Sequence, residues 1–134
     1  DKQGQLPLHQ AARQGDRDSI KVLLDAGADI EASTREGNTP LMLAAGQGRS
    51  SAVNSLLAAR SDINARNTAG ETALMLAAVH GDEKTVLALL EGGADTALRS
   101  KMKKRAEDMA LVAGHEEIAT QISGYREKKW FGVL

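Results

Sequence analysis

The chain of 134 residues has no cysteine and few aromatic side chains: one Trp, one Tyr and one Phe. Three rings cannot supply the large buried areas that aromatic residues usually contribute, so we expect a core of aliphatic side chains and alanine. The absence of cysteine excludes disulfide bonds and thiolate metal sites, and it is compatible with a reducing compartment. No run of about 18 consecutive apolar residues occurs, which argues against a membrane-spanning helix.

The sequence also has no large excess of positive or negative charge, since the formal net charge is −1 at pH 7. A balance so close to zero argues against attraction of the whole surface to nucleic acid. No charged and then apolar leader opens the sequence, so we expect an intracellular protein, in the cytoplasm or nucleus. Because the chain opens with Asp1 rather than Met, we expect it to be cut from something longer.

What the sequence does contain is a repeat. Gly4, Gly37 and Gly70 are each 33 residues apart, as 37 − 4 and 70 − 37 show. The same interval separates Leu23-Leu24 from Leu56-Leu57, and that pair from Leu89-Leu90. Internal repetition with a period of 20–50 residues is typical of solenoids, in which each copy packs on the next.

Each copy predicts two short helices and a loop. Leu41, Ala44 and Ala45 lie at i, i+3 and i+4, on one face of a helix that Thr39 caps and Pro40 opens. Gly48 follows that helix, and a second helix carries Val53 and Leu56-Leu57 with the same spacing. The segment ADIEASTREGN is polar and predicts an extended connection with a turn near Glu36-Gly37.

These residues resemble the ankyrin repeats, with Gly37, Thr39-Pro40-Leu41, Ala44-Ala45, Gly48 and Leu56-Leu57 in register. The resemblance implies an all-α solenoid of stacked helix-turn-helix units joined by extended, hairpin-like loops. It covers repeats at 1–33, 34–66, 67–99 and 100–124, followed by a C-terminal tail at 125–134. It also implies that protein partners bind at the loop tips and at the exposed ends of the first helices.

The first and last copies depart from the inner ones. Gln10 stands where the inner copies carry Leu43 and Leu76, and Glu107 replaces the leucine of the first helix. The last copy also has Ile118 and Ile122 instead of a Leu-Leu pair. Solenoids need polar capping repeats, so we expect a whole domain of four repeats rather than a slice of a longer array.

Two further departures bear on local structure. No copy has both the Thr and the His of the family's Thr-Pro-Leu-His turn, so the hydrogen bond from that His is not expected in the two inner copies. Copy two has Arg60-Ser61 where its neighbours have Gly-Ala, which predicts a non-glycine residue in the left-handed conformation.

The sequence offers no catalytic constellation. His9, His80 and His115 fall at different positions of different copies, and no spacing of imidazoles and carboxylates suggests a zinc site. We therefore expect a protein without enzymatic activity, cofactor or metal.

Candidate contact residues come from the positions that the resemblance places on the surface. For each residue alone, solvated surface is the competing interpretation, because few interface residues carry most of the binding energy. Four of them, Val79, His80, Met102 and Val112, suggest a contact patch in the C-terminal half. The full set is Lys2, Gln3, Gln5, Arg13, Gln14, Arg35, Glu36, Asn38, Gln47, Arg66, Thr68, Glu71, Val79, His80, Arg99, Lys101, Met102, Lys104 and Val112.

Two segments near the C-terminus leave alternatives open. The basic cluster of the last loop comprises Arg99, Lys101, Lys103, Lys104 and Arg105, which either form a solvated surface or dock an acidic peptide. The tail YREKKWFGVL holds every aromatic residue of the chain. Its Trp130 and Phe131 either fold back over the last repeat, which we favour, or bind a partner or a second copy.

The sequence thus predicts a monomeric adaptor or scaffold module that binds another protein or peptide, including an acidic one, on a concave face. One alternative is an electrostatic binder of nucleic acid or anionic lipid that uses the basic loop and Trp130, although nucleic acid is disfavoured because no aromatic side chain interleaves the cluster. Another alternative is the regulatory ankyrin domain of a larger enzyme or channel.

Overall fold

A computed structural model describes residues 4–132, and within them the regular structure consists of eight helices. Four helix pairs follow one another along the chain, and extended loops with turns join each pair to the next. The predicted all-α class is confirmed. The helices are α1 (Pro7–Gln14), α2 (Arg17–Asp25), α3 (Pro40–Gly46), α4 (Ser50–Ala58), α5 (Ala73–His80), α6 (Glu83–Glu91), α7 (Ala106–Val112) and α8 (Glu116–Trp130).

The first helix of each inner copy begins where a threonine caps it. The Thr39 Oγ1 accepts a hydrogen bond from the backbone N–H of Met42 at 3.3 Å, and the Thr72 Oγ1 accepts one from Met75 at 3.4 Å. Pro40 occupies the first helical turn, where its missing N–H costs nothing because that donor would have no intrahelical partner. The predicted start of these helices is confirmed.

Alanine and leucine form one continuous core between the copies. Helices α1, α3, α5 and α7 pack side by side as a first row, and α2, α4, α6 and α8 form a second row behind it. Ala44, Ala45, Ala77 and Ala78 are completely buried between first-row helices, where small side chains let backbones approach closely. Each helix packs on its own partner and on the adjacent copies, which is the arrangement of a solenoid.

The second helices end in a repeated left-handed turn. In copy two the backbone N–H of Arg60 donates to the Leu57 carbonyl at 3.0 Å, and that of Ser61 donates to the Leu56 carbonyl at 3.1 Å. These two bonds define a Schellman motif, whose left-handed residue is usually glycine. Gly27 and Gly93 occupy this position in copies one and three, whereas Arg60 occupies it here with φ of 70°. The predicted left-handed Arg60 is confirmed.

The loop tips stack on one another through backbone hydrogen bonds. The N–H of Thr68 donates to the Glu36 carbonyl, and the N–H of Lys101 donates to the Ala69 carbonyl, each at 2.9 Å. A Cβ at Gly37 would lie 3.0 Å from the Thr68 nitrogen, so this turn needs glycine both for its φ of 78° and for its close approach to the next loop. Lys103, with φ of 62°, takes the same position in the last loop.

The last helix is longer than its counterparts and crosses residue 124, the predicted end of the last repeat. Tyr125 packs partly buried against the core, and the Arg126 guanidinium pairs with Glu107 of α7. The preferred interpretation of Trp130 and Phe131 is wrong, because these side chains are 83 % and 75 % exposed. They do not fold back over the last repeat because α8 continues through Trp130, so the two residues lie at its C-terminal end.

Candidate partner-binding face

The candidate residues lie on what we call the inner face, which comprises the loop tips and the exposed C-terminal ends of α1, α3, α5 and α7. Most of the predicted contact residues are exposed or half-buried there. Gln5 is a correction, because its side chain is only 8 % exposed and cannot offer a free contact surface. Lys2 and Gln3 lie outside the described residues. The exposed members are Gln14, Arg35, Glu36, Gln47, Arg66, Thr68, Val79, His80, Arg99, Lys101, Met102, Lys104 and Val112, and the half-buried ones are Arg13, Asn38 and Glu71.

The central loops of the inner face are polar and hydrogen-bonded to one another. The Asn67 side-chain amide donates to the Asn38 Oδ1 at 2.9 Å and to the Glu71 Oε1 at 3.1 Å. The Asn67 Oδ1 in turn accepts from the backbone N–H of Glu71 at 2.9 Å. Asn38 and Glu71 therefore help to hold the loops in register, a role that sequence reasoning did not assign to them.

The C-terminal half of the inner face contains an apolar groove of about 440 Å³ between α5, α7 and the last loop. Val79, Met102 and Val112 line it and are 43 %, 78 % and 84 % exposed. Met109 lines the same groove, and so do the charged residues Glu71 and Lys104. We call this site, defined by these six residues, the apolar groove.

Three of the four residues predicted to form a C-terminal patch thus lie together in the apolar groove. His80 is the exception: its ring packs against Gly48 of the preceding copy, where an added Cβ would lie 2.7 Å from the His80 Nε2. Sequence reasoning missed Met109, although the register that aligns Gln10 with Leu43 and Leu76 also aligns it with Met109.

The basic cluster of the last loop is exposed except at its end. Among the described residues, no carboxylate lies within 4.0 Å of the charged groups of Arg99, Lys101, Lys103 or Lys104. The Arg99 guanidinium instead donates to the Lys103 carbonyl at 3.1 Å, which stiffens the loop. Arg105 differs, because its guanidinium lies 3.8 Å from Glu107 and turns toward the interior.

The three imidazoles do not meet. His9 is fully buried, with its Nδ1 accepting from the Leu6 N–H at 2.9 Å and its Nε2 lying 2.6 Å from the Ala32 carbonyl oxygen. The His115 Nε2 lies 3.1 Å from the Val79 carbonyl oxygen of the preceding copy. All three rings therefore serve contacts within or between copies, and within residues 4–132 no three His, Asp or Glu side chains converge as metal ligands would.

In copies three and four, other side chains accept the backbone hydrogen bond that His9 accepts in the first copy. The Met75 Sδ accepts the backbone N–H of Thr72 at 3.4 Å, and the Asp108 carboxylate accepts that of Arg105 at 2.9 Å. Sulfur is a weak acceptor, so the turn of copy three keeps the geometry of the histidine turn with a weaker bond.

Glu107 takes part in an ion pair between the last two helices. Its carboxylate accepts hydrogen bonds from Ser123 and Arg126 of α8, and the bond from the Arg126 Nη2 is 3.1 Å long. The hydrogen bond from Arg126 holds the pKa of Glu107 below its ordinary value of 4.5, against the opposing effect of burial. The group is a structural ion pair between α7 and α8, away from the apolar groove.

No helix in the described part of the chain has both the length and the apolar character that crossing a bilayer requires. The sequence model of a family described as ankyrin repeats (3 copies) matches residues 1–67 and 48–128, which together cover nearly the whole chain. Among curated proteins, none matches this chain with significant similarity.

Proposed function

Because the chain belongs to the ankyrin-repeat family, we propose that it is a non-catalytic module that binds another protein or peptide on its inner face. Ankyrin repeats are generally protein-interaction modules, and their domains are typically non-catalytic. The proposal extends this general role to that of a monomeric adaptor or scaffold inside the cell. The absence of cysteine is consistent with the intracellular location.

The observation that carries the proposal is the apolar groove. Val79 and Val112 are exposed at a position where the first two copies carry Arg13 and Gly46. Met102 is exposed where the two preceding copies carry the smaller Ala69 and the charged Glu36. Exposed apolar groups that cluster in a concave site mark contact surfaces more reliably than scattered ones do. The polar residues around them would form the rim of an interface, with the apolar groups at its centre.

The experiment compares two matched double variants in affinity purification from a cell extract of the source. Val79→Asp/Val112→Asp places two charges in the apolar groove, while Val22→Asp/Leu87→Asp places two charges on exposed positions of the second row. Circular dichroism must show that both variants remain helical. The proposal predicts that the first variant loses proteins that the wild type and the second variant both recover.

Identical protein profiles for all three samples would refute binding at the inner face. If both variants lost the same proteins, the contact would lie elsewhere, or the loss would reflect a lower stability of both variants. The nucleic-acid or lipid alternative gains no support, because Trp130 lines a different groove with Tyr125 and Asp95 and not the one beside the basic loop.

A further inference from the structure

We infer that the apolar groove takes an acidic peptide that inserts one large apolar side chain, and this inference rests on the proposed function. It narrows the partner from any protein to a segment of stated chemistry. Two independent observations support it, namely the apolar lining of the groove and the unpaired positive charge on the loop beside it.

The lining of the groove suits an apolar side chain of variable shape. Met102 and Met109 line the groove together with Val79 and Val112. Methionine is unbranched and polarizable, so it adapts to aliphatic or aromatic groups without a fixed complementary shape. We therefore expect Leu, Ile, Met or Phe in the groove rather than a single required residue.

The charge around the groove is strongly asymmetric. Lys104 lines it, and Arg99, Lys101 and Lys103 lie in the same loop, exposed and without an ion pair to any described residue. The single carboxylate in the groove, Glu71, already accepts a hydrogen bond from the Asn67 amide. Charge complementarity therefore places Asp or Glu of the partner on the loop side, and it accelerates association with partners of that sign.

The same charges disfavour the other available occupants. The exposed end of α8 carries Lys128 and Lys129 against the one carboxylate of Glu127, so like charges would meet if it entered the groove of a second copy. A nucleic acid would be attracted by the cations of the loop. However, no aromatic side chain lines the groove for its bases to stack on, and Glu71 would repel its phosphates.

A random library tests the chemistry of the partner without assuming its sequence. Phage that display random peptides of about 12 residues are selected on the wild-type chain at about 0.15 M salt, and peptides that also bind Val79→Asp/Val112→Asp are removed. We expect the survivors to combine a large apolar residue with two or more nearby acidic residues. Selection of basic or uncharged sequences, or no enrichment over the starting library, would overturn the inference.

Fluorescence anisotropy with the selected peptides then tests the loop. Lys101→Glu/Lys104→Glu should raise the Kd about tenfold or more, whereas Arg17→Glu/Lys84→Glu, with the same change of net charge on the second row, should leave it within about twofold. If the two variants raised the Kd equally, the effect of the loop would come from net charge alone, and the inference would be overturned.

The same assay includes the other occupants as probes, namely a peptide of residues 125–134 and a single-stranded oligonucleotide of about 20 nucleotides. Tighter binding of either probe than of the selected acidic peptides would also overturn the inference. The two proposals fail separately. If purification still depends on Val79 and Val112 while the library gives the wrong chemistry, only the acidic partner is refuted.

Discussion

Replacing Arg60 by glycine should stabilise the domain, because Arg60 occupies a position that glycine fills in the neighbouring copies. Its φ of 70° lies in the left-handed region, where the Cβ of an L-residue crowds the backbone. The two hydrogen bonds of the Schellman turn come from backbone groups of Arg60 and Ser61, so the substitution keeps them. The side chain is exposed, and among the described residues it makes no ion pair.

The size of the gain follows from two opposing effects. Relief of the left-handed strain is worth roughly 1–2 kcal/mol. The greater freedom of glycine in the unfolded chain takes back roughly 0.5–1 kcal/mol. The midpoints of these two ranges differ by about 0.75 kcal/mol, which is the expected net increase in the free energy of unfolding. With an unfolding entropy of about 2.1 cal/mol/K per residue over the chain, this corresponds to a Tm about 2–4 °C higher.

Thermal unfolding followed by circular dichroism measures this shift, and two control variants isolate its cause. Arg60→Ala removes the guanidinium but keeps the Cβ, so it should leave the Tm unchanged. Gly93→Arg is the mirror experiment at a residue with φ of 93° and no heavy atom within 4 Å of an added Cβ, and it should lower the Tm by a similar amount. If Arg60→Ala stabilised the domain as much as Arg60→Gly, the backbone strain would not be the cause.

Three further predictions concern stability. Ser61→Ala should raise the free energy of unfolding by about 1 kcal/mol in urea titration, since the Ser61 Oγ is buried and finds no partner within residues 4–132; an unchanged midpoint would contradict this. Gly37→Ala should cost about 1–3 kcal/mol more than Gly27→Ala, because both have positive φ but only at Gly37 would the Cβ meet backbone, the Thr68 nitrogen; equal losses would show that the loops do not need this close approach. Glu107→Gln should lower stability by about 1–2 kcal/mol at pH 7, because Arg126 loses its charged partner. Since the folded pKa of Glu107 is lowered, the difference in the free energy of unfolding between wild type and variant should be fully present above about pH 5 and vanish as the pH falls through the lowered pKa. A difference that stayed constant with pH in urea titrations would refute the ion pair.

The helices and turns could be predicted from the sequence because their determinants are local and recur every 33 residues. The threonine caps, the proline at the start of α3 and the glycine turns each act within a few residues, and each copy provides an independent check on the others. The repeat register also predicted three residues of the apolar groove. Val79 and Val112 occupy equivalent positions of successive copies, and Met102 belongs to the adjacent loop tip.

What could not be predicted depends on contacts between side chains that are far apart in the sequence. Nothing near Glu107 in the chain indicates that its carboxylate pairs with Arg126 of α8, 19 residues later. The direction of the His80 ring likewise depends on the space that Gly48 leaves in the preceding copy. Composition alone places both residues on the surface, whereas their partners come from other helices or other copies.

Glu107 shows how a repeat position can change its physical role at the end of the stack. Its equivalents Leu8, Leu41 and Leu74 stabilise the domain by burial, yet Glu107 is only 13 % exposed, so it has kept the site and lost the apolar group. A carboxylate is tolerated there because α8 extends far enough to bring Ser123 and Arg126 against it. The ion pair therefore depends on Arg126, which lies beyond the predicted end of the last repeat at residue 124 but packs with that repeat. The exposed Trp130 and Phe131 consequently lie at the end of a helix whose earlier turns are anchored to the core.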